Sequence, residues 1–315
     1  MHERKFAQAE FRKEKPMKIG IVIPLGEIDH GKALPYTAIK DRAQQAEGVG
    51  FDSIWLYDHL IHRFSGHPTV GFWENWTMLS AVAEATEKPE LGTWVLGPFR
   101  HPAMTAKQAD TLEEVSNQRL ILGLGSGWHK DEFEAFGVPY ENRVSRFEES
   151  LQIITSLLHE GAVDFEGEYY QAKNSELKPR GSREGGPPIM VGAMKPRMMR
   201  LAAQYADMWN TDWLGNEDHL TYQKAALEEA CSQVGRDPST LDITGGITIA
   251  YPQLGDLPSW MRGPEDYISG SPTEVANGFR MYEEAGVSHV QCNVYPHTED
   301  AYTQLGQAVE VFRTK

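Results

Sequence analysis

Leu120–Gly137 reads LILGLGSGWHKDEFEAFG: an apolar run of strand length, a turn carrying Gly123, Gly125 and Gly127, then a polar segment with helical spacing. That is one β/α unit, and the same order recurs on both sides of it. Strand-length apolar runs lie at Lys18–Ile23, Ser53–Tyr57, Leu91–Leu96, Leu120–Leu124, Pro188–Val191, Asp207–Asn210, Ile243–Ile249 and Ser288–Val294. Between them Ala106, Ala109, Leu112 and Val115 recur every three residues, and Val144, Phe147, Leu151, Ile154 and Leu158 step by three and four, which predicts two core-facing helices. Ser271-Pro272-Thr273-Glu274 supplies an N-cap serine, a proline at the first helical position and a glutamate three residues after the cap, so a helix starts at Pro272.

Strands alternating with helices require right-handed crossovers and a parallel sheet. Eight such units in 315 residues predict an α/β fold, a closed (β/α)8 TIM barrel, with an open doubly wound sheet as the competing architecture. Two stretches break the alternation: Gly161–Lys178, which reads as a hairpin around Glu166-Gly167-Glu168, and Tyr251–Gly270, rich in Pro, Gly and Trp. Both are expected as insertions over the C-terminal mouth, where active sites of this architecture lie. Residues 1–16, MHERKFAQAEFRKEKP, are expected as an N-terminal extension, and 17–315 as a single domain.

Composition narrows the chemistry. Lys+Arg number 30 against 45 Asp+Glu, a net charge of −15, which opposes nucleic acid or a membrane surface as a partner and demands a local basic or amide-lined site for any anionic ligand. Cys231 and Cys292 stand far apart, giving neither a disulfide framework nor a cysteine metal site, and a reducing compartment fits. With no signal-peptide pattern at the start and no long apolar run, a soluble cytoplasmic protein is expected. The chain has no G-x-S-x-G elbow, P-loop or H-E-x-x-H. Amide-rich loops without a nucleophile point to an organic cofactor that performs the chemistry itself.

Four segments are candidates for holding it. The glycines of Gly123–Gly127 let backbone approach a ligand or simply make a turn; their G-x-G-x-G spacing in mid-chain is not a dinucleotide fingerprint. SIWLYDH, Ser53–His59, ends a strand in Asp58 and His59: either a proton shuttle at the barrel mouth, or a turn cap beside a packed ring. His62 completes an H-x-x-H, but no partner at a recognised spacing supports a metal, and none is expected. In LGTWVLGPFRHP, Leu91–Pro102, Gly97-Pro98 ends a strand abruptly after the bulky Trp94, which marks either the mouth or an ordinary terminus with Arg100 in solvent. In PPIMVGAMKPRMMRLAAQYADMWN, Pro187–Asn210, the turn Gly192-Ala193-Met194 leads into a helix with Lys195, Arg197 and Arg200, a natural phosphate seat or a small-residue turn before a solvated basic face.

These blocks, GFDSIWLYDH, LGTWVLGPFRHPAMTAKQADTLEEVS, RLILGLGSGW with Glu132 downstream, RVSRFEESLQII and PPIMVGAMKPRMMRLAAQYADMWN, stand in an order that resembles the bacterial luciferase-like flavin and deazaflavin oxidoreductases, from Lys18 to about Pro296. The resemblance implies a (β/α)8 barrel with the ring of FMN or coenzyme F420 in the mouth and its phosphate near Gly192, Ala193 and Met194. It implies a non-prolyl cis bond at Trp94-Val95 backing the ring, with Gly97 closing the same loop. Asp58 would contact the ring, His59 would donate or accept a proton, and Gly125, Ser126, Gly127 and Trp128 would line the cofactor site. Sugar-phosphate dehydrogenases of the family place a glutamate immediately after the G-x-G-x-G segment; Trp128 stands there, so that acid role does not transfer.

F420 is the expected cofactor and FMN the alternative. F420 implies hydride transfer to or from a small organic substrate; FMN would imply an oxygen-using monooxygenase, and a non-catalytic flavin-binding relative is a third reading. Arg100, Lys195 and Arg197 either meet the phosphate and anionic tail or remain solvated. Trp55, Tyr57, Phe72, Trp73, Trp76, Trp94, Trp128, Trp209, Trp213 and Trp260 predict an aromatic mouth and a flat or hydrophobic substrate. The family likeness implies a homodimer.

Overall fold

The computed structural model describes residues 16–27, 31–211, 213–215, 217–258, 260–261 and 263–314. The expected extension at 1–16 lies outside them but for Pro16. In chain order the elements are β1 (Lys18–Ile23), α1 (Tyr36–Val49), β2 (Ser53–Leu56), β3 (Ile61–His62), β4 (Val70–Gly71), α2 (Asn75–Ala85), β5 (Glu90–Thr93), α3 (Pro102–Val115), β6 (Leu120–Leu124), α4 (Lys130–Ala135) and α5 (Arg143–Glu160). There follow β7 (Ala162–Glu166), β8 (Gln171–Glu176), β9 (Ile189–Gly192), α6 (Pro196–Tyr205), β10 (Met208–Thr211), α7 (Glu217–Val234), β11 (Asp242–Ala250), α8 (Pro272–Glu284), β12 (His289–Tyr295) and α9 (Glu299–Arg313). Among the described residues no helix is long and apolar enough to cross a membrane.

Eight strands close a parallel barrel in the order β1-β12-β11-β10-β9-β6-β5-β2, so the eight runs expected from sequence are its staves. Each strand sorts its side chains by parity. Ile19, Ile21 and Ile23 on β1, Ile54 and Leu56 on β2, Leu120, Leu122 and Leu124 on β6, and Val290, Cys292 and Val294 on β12 face the helices in one continuous core. The alternate set, Val22, Trp55, Trp94, Ile121, Met190 and Met208, forms a second cluster inside the barrel.

Trp55 fills much of that interior because its neighbours on β1 and β5 are glycines. A Cβ on Gly20 would lie 2.4 Å from Trp55 Nε1, and one on Gly92 would lie 1.9 Å from Cε3. The indole N–H donates to Ser53 Oγ at 2.6 Å, and His289 Nε2 meets the same hydroxyl at 2.7 Å.

Helix expectations hold, with one correction. The Ser271 capping box opens α8, and α5 buries Phe147, Leu151, Ile154 and Leu158. In α3, Ala106, Ala109 and Leu112 are buried but Val115 is exposed. A strict three-residue spacing drifts by about 60° per step in a helix of 3.6 residues per turn, so the fourth member faces the opposite side.

Strand β5 ends at Thr93, short of the expected Leu96; the backbone leaves the ladder at Trp94-Val95, whose peptide bond is cis, and returns in a single bridge from Leu96 to Leu124. Gly161–Lys178 does form a hairpin, β7 with β8. It does not cover the mouth. It connects α5 to β9, a helix-to-strand junction at the opposite end, and folds back along α5, where Glu149 accepts the Glu168, Tyr169 and Tyr170 N–H groups. The other expected insertion, Tyr251–Gly270, does reach the mouth through Trp260 and Asp266, and the β3–β4 pair follows β2 at the same end.

Because Trp55 is enclosed, Gly92→Ala is expected to overpack the barrel and cost about 1–3 kcal/mol. Urea unfolding checks this; an unchanged midpoint would show that the interior has room the packing denies.

Candidate active site

Strand parity builds the site. Above the interior cluster, the inward-facing positions of the same parity are Tyr57 just past β2, Gly125 just past β6, Gly192 on β9 and Asn210 on β10, with Thr248 on β11 and Asn293 on β12 beside them. All six line a cavity of about 690 Å³ at the C-terminal ends of the strands. Asp58, His59, Trp94, Val95, Gly97, Ser126, Gly127, Trp128, Ala193 and Met194 line it too, so the residues that the family resemblance assigned to the cofactor and the proton reach this one space. Tyr57 was expected only as one of the mouth aromatics, and Asn210, Thr248 and Asn293 were not singled out; period-two counting along each strand is the signal that finds them.

The cavity floor is the Trp94-Val95 turn. Val95 lies between two glycines: a Cβ on Gly125 would stand 2.7 Å from Val95 Cγ2, and one on Gly192 would stand 3.3 Å away. With no side chain on either neighbour, the seat is flat and apolar. Trp94 is held beneath Tyr57 by ring stacking at 5.3 Å and 30°, and by its indole N–H, which donates to Asn210 Oδ1 at 3.2 Å. Asn210 is fixed in turn by donating to Thr244 Oγ1 and Gln291 Oε1, both at 2.9 Å. The Tyr57 hydroxyl donates to Asn293 Oδ1. Burial, and the Tyr295 phenol nearby, hold the Tyr57 phenol well above its ordinary value, so it remains a donor.

His59 stands on one wall. Its Nδ1 is 3.2 Å from Glu132 Oε2, and its ring lies 4.2 Å from His62, 5.6 Å from Phe72 and 5.9 Å from Trp128. Glu132, from α4, also accepts the Leu60 N–H and, at 3.2 Å, the Ile61 N–H. Burial pushes its carboxyl up, but the bonds to His59 and to these two amides outweigh that and hold it below the usual carboxylate range. His62 is pushed down to about 4 by burial and by His59 beside it, and is neutral near pH 7.

Asp58 lines the cavity, and its side chain is engaged within the protein. Its carboxylate is taken by protein: Oδ2 accepts from Arg100 Nη1 at 2.8 Å and Gly97 N–H at 3.0 Å, and Oδ1 accepts from Arg100 Nη2 at 2.9 Å. Arg100 also donates to Glu74 at 2.5 Å. The bidentate pair ties the loop after β2 to the one after β5 and removes Arg100 from any anionic tail. Arg197 is likewise engaged, donating to Glu148 at 2.7 Å and Ser145 at 3.0 Å. Lys195 is the one Lys or Arg on the cavity wall among the described residues. In the glycine turn the Ala193 N–H is committed to Asn210 O at 2.9 Å. Donors for an anion there therefore come later, from the first turn of α6, whose N-cap Lys195 makes no side-chain cap bond. Among the described residues no group of His, Cys, Asp and Glu is arranged to hold a metal ion.

Of the ten aromatics noted in the sequence, Tyr57, Trp94, Trp128, Trp213 and Trp260 line the cavity, whereas Trp55 and Trp209 are fully buried in the core.

Removing Arg100 strands a buried carboxylate. Arg100→Met is expected to destabilise by about 3–5 kcal/mol, and the double variant with Asp58→Asn to recover part of that in urea unfolding. A loss no larger than that of a surface pair, under about 1 kcal/mol, would contradict the clamp.

Residues 17–252 match the model of the luciferase-like monooxygenase family. Among curated relatives, the 5,10-methylenetetrahydromethanopterin reductase of Archaeoglobus fulgidus is 33% identical over 70% of this chain and 61% of its own length. The F420-dependent glucose-6-phosphate dehydrogenase of Amycolatopsis mediterranei is 31% identical over 66% of this chain and 63% of its own. The chain thus spans about three fifths of these relatives. Among solved structures, an F420-dependent secondary alcohol dehydrogenase in complex with an F420-acetone adduct superposes with a TM-score of 0.78 at 20% identity, covering 95% of this chain and 100% of that one. A parallel eight-strand barrel, a glycine-flanked cavity at its strand ends and a family match over most of the chain agree: this protein belongs to the luciferase-like monooxygenase family.

Proposed function

We propose that this protein is an oxidoreductase that holds coenzyme F420 in the cavity and transfers a hydride between it and a small organic substrate. One observation carries the reading: the side-chain-free seat at Val95, where Gly125 and Gly192 leave a flat apolar surface that a Cβ at either position would spoil. A cavity of about 690 Å³ suits a tricyclic ring, and of the two curated relatives above one carries F420 in its name and the other is named a reductase.

F420, when bound, supplies a two-electron hydride carrier, with carbon where FMN has nitrogen. The chain's own residues do the rest. Val95, Gly125 and Gly192 back the ring; Tyr57, Asn210 and Asn293 present polar groups along the same wall. Met194, Lys195 and the free amides at the start of α6 take the phosphate. Ser126, Gly127 and Trp128 flank the site, and Asp58 acts through Arg100 and Gly97 by shaping the loop rather than by touching the ring. His59 holds and moves the proton that accompanies hydride transfer.

The substrate is small, uncharged and flat or apolar. Trp128, Trp213 and Trp260 come from three different loops around the opening, and each is more than a third exposed without a ligand to cover it. A phosphorylated substrate beside His59 would meet no Lys or Arg on the described wall except Lys195, which the cofactor phosphate engages. The single domain 17–315 works in the cytoplasm, as a homodimer.

Titrating purified protein with F420 and with FMN separates the two cofactors: tight F420 binding is expected, and tight FMN binding without F420 affinity would reject the proposal. Gly192→Leu should weaken F420 binding at least about tenfold, since a 1.4 kcal/mol clash suffices. His59→Ala should lower turnover about 10²–10⁴-fold with binding retained; the reverse pattern would exchange their roles.

A further inference from the structure

Glu132 is a buried carboxylate on the wall of the cavity. It is 1% exposed, and among the described residues no Lys or Arg pairs with it; its side-chain partner is His59. Its two oxygens face different elements. Oε1 accepts the backbone N–H groups of Leu60 and Ile61, and Oε2 faces His59 Nδ1 at 3.2 Å. A carboxylate held in its ionised form can only accept hydrogen bonds, so the proton between Oε2 and the ring belongs to Nδ1. A neutral imidazole with Nδ1–H has its lone pair on Nε2.

From these contacts we infer that Glu132 is a positioning residue: it fixes His59 in the Nδ1–H tautomer, leaves Nε2 as the nitrogen that exchanges a proton with the cavity, and pins the loop after β2 onto α4. The other groups against the ring do not compete for this role. Phe72 and Trp128 are apolar faces, and His62, from β3, is a neutral ring packed edge to face. His129, on the far side of His62, accepts the Arg63 N–H at 2.9 Å through its Nε2 and does not reach His59. The carboxylate four residues after Trp128 thus supplies His59 with a fixed orientation from a helix, in a chain that lacks the glutamate next to the glycine turn.

The importance of Nε2 to turnover rests on the reading of His59 as the proton-transfer residue; the tautomer does not. The test is nitrogen NMR of the cofactor-free protein labelled at histidine, with the His59 signals assigned by their loss in His59→Ala. The parent is expected to show the proton on Nδ1 and a bare Nε2. In Glu132→Gln the new side-chain carbonyl still accepts from Leu60 and Ile61 while its amide N–H turns to His59, so the proton should move to Nε2 and the two ring-nitrogen signals should exchange character. A merely structural glutamate would leave them unchanged. Nε2–H in the parent, or an unaltered tautomer in Glu132→Gln, overturns the inference, and the parent spectrum alone decides should that variant not fold. F420 titration of the same samples reports on the cofactor independently, so its failure is not mistaken for failure of the tautomer.

Discussion

The site exists because a barrel interior must be filled before its mouth can be shaped. Trp55 occupies the space that Gly20 and Gly92 leave open, and Val22, Ile121, Met190 and Met208 close around it. That plug turns a tube of strands into a cup. Since a strand cannot change face without a bulge, every second residue above the plug must point into the cup. Tyr57, Gly125, Gly192, Asn210, Thr248 and Asn293 inherit their positions this way, and at the glycines among them backbone, not side chain, lines the cavity.

On this rigid base the loops are tied to one another by charge. Asp58 and Arg100 join the loops after β2 and β5, and Glu132 joins the loop after β2 to α4. Both carboxylates are buried, and each is compensated by several donors, as a charge removed from water must be. The consequence is a histidine wall and an apolar seat held by separate clamps.

Much of this was legible beforehand. The eight staves follow from apolar runs of strand length, and the convergence of Asp58, His59, Trp94, Gly125 and Gly192 follows from their standing at strand ends. What was hidden was the partnership of charges. Nothing in the spacing of Asp58 and Arg100 says that they meet; Arg100 read equally as a cation for an anionic tail, and only the geometry of two adjacent loops commits it to Asp58. Glu132 was noted downstream of the glycine block, but nothing in that spacing gives its role, because its partners are backbone amides and a ring on another loop. The hairpin at Gly161–Lys178 was misplaced for a topological reason: its turn chemistry was plain, but which end of the barrel it occupies depends on its following a helix rather than a strand. The polar inward residues Asn210, Thr248 and Asn293 were available by counting, yet in apolar strands they read as interruptions rather than as the rim of a site.

The most direct measurement of the central claim is a crystal structure of the protein with F420. The account places the deazaflavin ring against Val95 between Gly125 and Gly192, its phosphate at Lys195 and the start of α6, and His59 at the open side. A ring bound elsewhere, or one whose phosphate is held by Arg100 after release of Asp58, would contradict it.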